Sequence, residues 1–200
     1  MDNSRKNNRK PKIIVLRWGH RPQRDTRLTT HVALTARALG ADGIILSDIE
    51  DKKIKETVDK ITLNWGGTFS FAMGIPWRRA VSEWKNNGGI VVHLTAYGEN
   101  IESSSAMKEI KHSGKDVMVI VGCQKVPGEF FAEEVSDFNV AVGNQPHSEC
   151  ASVAIFLDRF QRRKTLATDF PNARVRIIPQ KRGKKVVSHG RFERLNSKEI

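Results

Sequence analysis

Short apolar runs alternate with helical patterns along most of the chain. The run at residues 13–16 is continuous, as in a strand buried on both faces of a sheet. Ile54, Val58 and Ile61 instead recur at the spacing of an amphipathic helix. The predicted strands are 13–16, 43–47, 69–72, 90–94, 117–121 and 138–142, and the predicted helices are 31–39, 51–64, 77–85, 101–112, 129–135 and 148–164. This alternation predicts an α/β domain with a mostly parallel sheet and helices on both faces.

The two ends of the chain depart from this pattern. Residues 1–12 are polar, and we expect a disordered basic tail there. Residues 174–179 and 184–187 predict two short strands, which form a basic C-terminal extension. We therefore expect one domain that ends at residue 187, followed by a flexible tail over residues 188–200.

Composition places the chain among ordinary globular proteins. Its 200 residues are 38% hydrophobic, enough for one domain with a sizeable core. No window approaches the roughly 18 consecutive apolar residues of a membrane span, and the polar N-terminus lacks the apolar region of a signal peptide. Cys123 and Cys150 lack metal-type spacing and favour a reducing compartment. These features predict a cytoplasmic protein without a membrane segment.

The positive charge is concentrated at the ends of the chain. The formal net charge is +12, of which residues 1–12 contribute +4 and residues 159–200 contribute +10, so the middle is slightly acidic. Basic ends attract phosphate regardless of base sequence, which favours a nucleic-acid partner. The alternative is that basic termini only keep the protein in solution.

Several common sites lack their signatures. No Gly-x-Gly-x-x-Gly follows a strand, and no Walker-type phosphate loop is present. The six histidines have no metal-ligand spacing, so we expect no metal. Neighbouring His147, Ser148 and Glu149 cannot converge as a catalytic triad, and Ser148 is better interpreted as a helix N-cap.

Three predicted strands end in loops that combine glycine or proline with small polar residues. These loops cover residues 93–98, 122–128 and 142–149. Each alone could be an ordinary turn. Because parallel strands place their carboxyl ends at one edge of the sheet, the three loops together predict a ligand-binding cradle.

The same loops, together with residues 17–27, carry a resemblance to a known family. Residues 17–27 read Arg-x-Gly-His-Arg-Pro-x-Arg-Asp-x-Arg, residues 93–98 read His-Leu-Thr-x-Tyr-Gly, residues 121–127 read Val-Gly-x-x-Lys-Val-Pro, and residues 139–149 read Asn-Val-Ala-Val-Gly-Asn-Gln-Pro-His-Ser-Glu. This order resembles the archaeal tRNA (cytidine-56 2′-O)-methyltransferases of the SPOUT superfamily. The resemblance implies 2′-O-methylation of a T-loop cytidine of tRNA, a homodimer, and a trefoil knot within residues of about 115–165.

The resemblance also implies S-adenosylmethionine (AdoMet) as the cofactor. Its expected binding residues are Leu94, Gly122, Cys123, Gln124, Lys125, Val126, Val142, Gly143, Asn144, Gln145, Pro146, His147, Ser148 and Glu149. Gln124 departs from the acidic residue usual at its position, so we assign it no charge role.

Arg37 matches an arginine that is proposed to activate the ribose hydroxyl in related enzymes. Because a free guanidinium keeps its proton throughout the physiological pH range, we expect an orienting cation rather than a base. The alternative is an arginine that complements the helix dipole. The residues expected to contact RNA are Arg17, Arg21, Arg24, Arg27 and His31, the last standing where the relatives have asparagine; a solvated basic loop is the alternative. Another RNA ribose methyltransferase and a non-catalytic RNA-binding protein remain open as functions.

Overall fold

A six-stranded sheet with five α-helices forms the body of the protein, whose computed structural model describes residues 9–188. The strands of the main sheet are β1 (Ile13–Trp18), β2 (Gly43–Ser47), β3 (Ser70–Ile75), β4 (Ile90–Asn100), β5 (Val117–Gly122) and β6 (Phe138–Ala141). The helices are α1 (Pro22–Ala38), α2 (Lys52–Trp65), α3 (Trp77–Asn86), α4 (Ala106–Ser113) and α5 (Glu149–Phe160).

All neighbouring strands of this sheet are parallel, in the order β3-β2-β1-β5-β4-β6. Successive residues of a strand point to opposite faces. Val15 accordingly packs in the core beneath α1, α2, α4 and α5, while Leu16 packs with Trp77 of α3 on the other face. The prediction of a parallel α/β sheet covered on both faces is confirmed.

Helix α1 begins earlier than the sequence predicted. Pro22 stands at its first position, where proline costs no hydrogen bond. The backbone N–H and guanidinium of Arg21 both donate to Asp25, at 3.0 and 2.7 Å. Thr29 and Thr30, which directly precede the helix predicted at 31–39, therefore lie inside α1, and the predicted start of this helix was wrong. The arginine-rich segment that we expected to be a loop is largely the first half of α1.

Four other elements differ from the prediction. Strand β4 does not end at residue 94, because it bulges and then pairs with β6 again, with Glu99 opposite Val140. Helix α4 consequently starts later than residue 101. The helix predicted at 129–135 is a single 3-10 turn, Gly128–Phe131. Helix α5 ends at Phe160, and its predicted last turn is interrupted by two left-handed residues, Arg162 and Arg163.

The ends of the described chain are tied to the domain. Arg9 forms an ion pair with Asp116 at 2.7 Å, and the backbone N–H of Lys12 donates to the same carboxylate, so residues 9–12 lie against the domain. Residues 1–8 and 189–200, predicted as tails, lie outside the described residues. The two predicted C-terminal strands are present as an antiparallel pair, β7 (Val175–Ile177) and β8 (Val186–Ser188). No helix within residues 9–188 has the length and apolar character to cross a membrane.

Candidate active site

A cavity of about 620 Å³ opens at the bulge of β4 and at the carboxyl ends of β5 and β6. This volume lies within the range of small-molecule and cofactor sites. Its walls come from the three loops singled out by sequence. The predicted cofactor residues that line it are Leu94, Gly122, Gln124, Lys125, Val126, Val142, Gly143, Gln145, Pro146, His147 and Glu149.

Three residues predicted to bind the cofactor do not line the cavity. Cys123 lies behind the wall, where burial raises the pKa of its thiol. Ser148 instead caps α5, as its hydroxyl accepts a hydrogen bond from the backbone N–H of Cys150 at 3.2 Å. Asn144 bridges two walls, because its amide donates to the carbonyl oxygens of Ala96 at 2.9 Å and Gly98 at 3.2 Å. These residues shape the cavity from outside.

The cavity also includes residues that the sequence prediction missed. They are His93, Thr95, Ala96, Tyr97, Val121, Phe131 and Ser152. The glycine-containing motif at residues 93–98 was a usable signal for four of them. Phe131 had no such signal, since it comes from the 3-10 turn and reaches the site through tertiary packing. Burial lowers the pKa of His93, whose Nδ1 lies 2.9 Å from Oδ1 of Asn139.

Arg17 is fully buried beneath this site. One guanidinium nitrogen donates to the carbonyl oxygen of Gly122 at 3.0 Å, and another lies 3.6 Å from the carboxylate of Glu149. Its Nε and Nη2 have no hydrogen-bond partner among the described residues. A side chain without solvent exposure cannot contact an RNA phosphate, so that prediction is wrong for Arg17. Arg17 instead connects two of the three cavity loops from below.

Arg37 is also placed differently from the prediction. It does not line the cavity, and its side chain is almost fully buried. Its guanidinium donates to the carbonyl oxygen of Gly66 and lies over the ring of Phe170, 4.9 Å from the centroid. Burial lowers its pKa. These contacts join α1 to the end of α2 and to the C-terminal segment.

The other predicted RNA-contacting residues lie on α1 or, for Arg21, at its N-cap. Arg24, Arg27 and His31 are exposed, and their spacing of three and four residues places them on one side of the helix. Arg21 is half-buried and paired with Asp25. We call Arg24, Arg27 and His31 the α1 stripe.

One group of possible metal ligands lies behind the cavity. Ligand atoms of His20, Asp25 and Cys123 lie within 4.8 Å of one another. The two ring nitrogens of His20 already contact Thr29 at 3.0 Å and Asp51 at 3.1 Å, and Asp25 is paired with Arg21. The His and Asp groups are thus engaged by protein partners.

Comparison with known proteins gives a consistent result. A family model described as tRNA ribose 2′-O-methyltransferase, aTrm56, matches residues 65–187. The chain is 52% identical over 175 residues to a tRNA (cytidine(56)-2′-O)-methyltransferase of Staphylothermus marinus, covering 88% of this chain and 92% of that protein. It is 51% identical over 176 residues to the protein of the same name from Thermococcus kodakarensis, covering 88% and 96%.

Solved structures share the fold at low sequence identity. The A. aeolicus TrmH/SpoU tRNA modifying enzyme superposes with a TM-score of 0.55 at 19% identity, covering 78% of this chain and 76% of that chain. A protein described as an RNA 2′-O ribose methyltransferase gives 0.56 at 14% identity, covering 78% and 57%. These two similarities concern the fold alone.

Proposed function

The chain belongs to the aTrm56 family of tRNA ribose 2′-O-methyltransferases, and from that premise we propose that it methylates the 2′-hydroxyl of cytidine 56 in the T-loop of tRNA. The observation that carries the proposal is the meeting of the three family-like loops in one cavity. Membership of the family makes the protein a tRNA ribose 2′-O-methyltransferase. The proposal adds that the modified nucleotide is cytidine 56.

We propose AdoMet as the ligand of this cavity. Leu94, Val126 and Val142 supply apolar surface, and the carboxylate of Glu149 suits a ligand with cationic groups. Gly143 has a positive φ of 72°, and no heavy atom lies within 4 Å of the position of a Cβ, so its backbone is open to a ligand. The residues present therefore fit AdoMet, which supplies a methyl group on a sulfonium when bound.

Positioning is the catalytic contribution that the described residues support best. A well-oriented pair of reactants gains roughly 7–11 kcal/mol over free encounter. The rigid loops, braced by Asn144 and Arg17, hold the cavity walls in place. Both ring nitrogens of His147 lie near carbonyl oxygens, those of Val142 and Ser148. A carbonyl oxygen only accepts, so the ring donates an N–H to at least one of them and thereby orients the loop.

Mapping of the modified nucleotide tests the proposed function. Purified protein is incubated with a tRNA transcript and methyl-labelled AdoMet, and the labelled nucleotide is identified. We expect label at cytidine 56 and no label on a transcript with 2′-deoxycytidine there, because the acceptor oxygen is missing. Label at another ribose would favour a different RNA site, and tRNA binding without any transfer would favour the non-catalytic alternative.

We further propose a cytoplasmic homodimer that contains the trefoil knot and uses no metal. These statements rest on the family resemblance. Light scattering should give twice the mass of the chain, and methyl transfer should persist in EDTA. A monomer with full activity would contradict the dimer, and loss of activity that added metal restores would contradict the last statement.

The α1 stripe is expected to bind tRNA phosphates. Arg24→Ala and Arg27→Ala should each weaken tRNA binding and lower the slope of log affinity against log salt concentration by about one, because one phosphate contact is lost. The measurement is a filter-binding titration at several salt concentrations. Arg79→Ala, which removes an exposed arginine on α3, is the matched control and should leave the slope unchanged. If Arg24→Ala and Arg27→Ala leave the slope unchanged, as the control does, the α1 stripe does not contact tRNA phosphates.

Arg37 is expected to stabilise the fold rather than to catalyse. Arg37→Ala should lower the free energy of unfolding by about 1–3 kcal/mol, since the buried carbonyl of Gly66 loses its donor and Phe170 loses its cation. Urea unfolding measures this change, and calorimetry should show unaltered AdoMet affinity. If Arg37→Ala is as stable as the original protein but transfers no methyl group, Arg37 acts in catalysis.

A further inference from the structure

Tyr97 is an exposed aromatic side chain at the mouth of the cavity. It is the single tyrosine of the chain, it lines the cavity, and 88% of its surface is exposed. Aromatic rings usually gain stability by burial, so a ring left in solvent at a binding site indicates contact with a ligand.

The backbone that carries Tyr97 is held rigidly despite this exposure. The side chain of Asn144 donates to the carbonyl oxygens on both sides of Tyr97, those of Ala96 and Gly98. Asn100 in turn donates to the side-chain oxygen of Asn144 at 3.0 Å. Gly98 packs so closely on β6 that a Cβ there would lie 2.5 Å from the backbone carbonyl of Asn139. The ring is thus presented by a braced segment, which lowers the entropy lost when a ligand binds.

Aromatic contacts connect Tyr97 to the interior of the cavity. Its ring meets that of Phe131 edge-on, with centroids 6.3 Å apart, and Phe131 is 40% exposed. Phe131 meets the buried ring of His93 at 5.0 Å in the same manner. The three rings form a continuous aromatic wall from the floor of the cavity to its rim.

The chemistry of the reaction indicates which ligand group meets this rim. The 2′-hydroxyl must enter the cavity, and the base is joined to the same ribose by one glycosidic bond. A nucleotide that leaves its stack for an enzyme loses base stacking, and aromatic side chains replace it in RNA-binding proteins. We propose that Tyr97 is the stacking platform for the base of the methylated nucleotide, an inference that rests on the proposed function and adds a substrate subsite to it.

Tyr97→Phe and Tyr97→Leu separate stacking from the hydroxyl group and from mere bulk. We expect Tyr97→Phe to keep kcat/KM for tRNA within about twofold, because the aromatic face remains. Tyr97→Leu should lower kcat/KM for tRNA roughly 5- to 150-fold, which corresponds to the loss of one base–aromatic stack. AdoMet affinity measured by calorimetry should stay unchanged in both variants. The matched control is Leu63→Ala on α2, which removes an exposed apolar side chain away from the cavity and should behave as the original protein.

An RNA substrate with an abasic ribose at position 56 identifies the stacked group. Without a base to stack, the original protein and Tyr97→Leu should methylate it with kcat/KM values within about twofold of each other. A difference that persists on the abasic RNA would overturn the proposal, as would a loss of AdoMet affinity or of the oligomeric state in Tyr97→Leu. An original protein that transfers no methyl to position 56 would refute the proposed function itself, whereas equal activity of Tyr97→Leu on normal tRNA would refute the Tyr97 subsite alone.

Discussion

Gly98→Ala is expected to lower the free energy of unfolding by about 1–3 kcal/mol and to weaken AdoMet binding roughly tenfold or more. The Cβ of the new residue would lie 2.5 Å from the backbone C and O of Asn139 and 2.6 Å from the backbone N of Val140. Backbone atoms of a hydrogen-bonded strand cannot rotate away as a flexible side chain can. Strands β4 and β6 must therefore move apart, and these strands carry two of the three cavity walls.

Urea unfolding and calorimetric AdoMet titration measure the two effects of Gly98→Ala. Gly128→Ala is the matched control, because no heavy atom lies within 4 Å of its Cβ position and its φ is not in the left-handed region. The control should leave both quantities unchanged or raise the stability slightly. Equal unfolding midpoints for Gly98→Ala and Gly128→Ala would show that β4 and β6 can separate without cost, contrary to the expectation.

The sequence predicted the sheet and its binding edge because both depend on local patterns. Continuous apolar runs such as residues 117–121 identify strands buried on both faces, and glycine with polar residues marks the loop after each strand. Ser148 was recognised as an N-cap from its place before an apolar helix, and its hydroxyl does accept a backbone N–H. The parallel arrangement then brings the three loops to one edge without further information.

Features that depend on contacts distant in sequence could not be predicted in this way. Arg17 looks like the first residue of a basic loop, yet Trp18 still belongs to β1, so Arg17 is buried inside the sheet. Arg37 occupies the expected position on α1, but its surroundings are set by Gly66 and Phe170, which lie about thirty or more residues away in the chain. A motif locates a residue along an element, whereas its role depends on what the fold places beside it.

Glu149→Leu is expected to lower the free energy of unfolding by about 3 kcal/mol, because it leaves the fully buried charge of Arg17 without a counterion. The side chain of Glu149 is 26% accessible to solvent, whereas that of Arg17 is not accessible at all. The cost of an unpaired charge is therefore larger for Arg17. The double variant Arg17→Met/Glu149→Leu should recover most of this loss, since an apolar side chain of similar length needs no partner there. Urea unfolding of the single and double variants measures the coupling energy.

A second arginine–glutamate pair provides a direct comparison. Its shorter N···O distance predicts a stronger interaction than that of Arg17 with Glu149, whereas its greater exposure predicts a weaker one. The Arg159–Glu102 pair is closer, at 2.8 Å against 3.6 Å, but 64% of the Glu102 side chain is exposed. Solvent screens an exposed pair, so Glu102→Leu should cost less than about 1 kcal/mol. If distance governed the energetics, Glu102→Leu would be the more damaging change and the Arg17 cycle would show no coupling. If burial governs the energetics, Glu149→Leu is the more damaging change. The carboxylate at the start of α5 then stabilises the buried charge of Arg17 beneath the cavity.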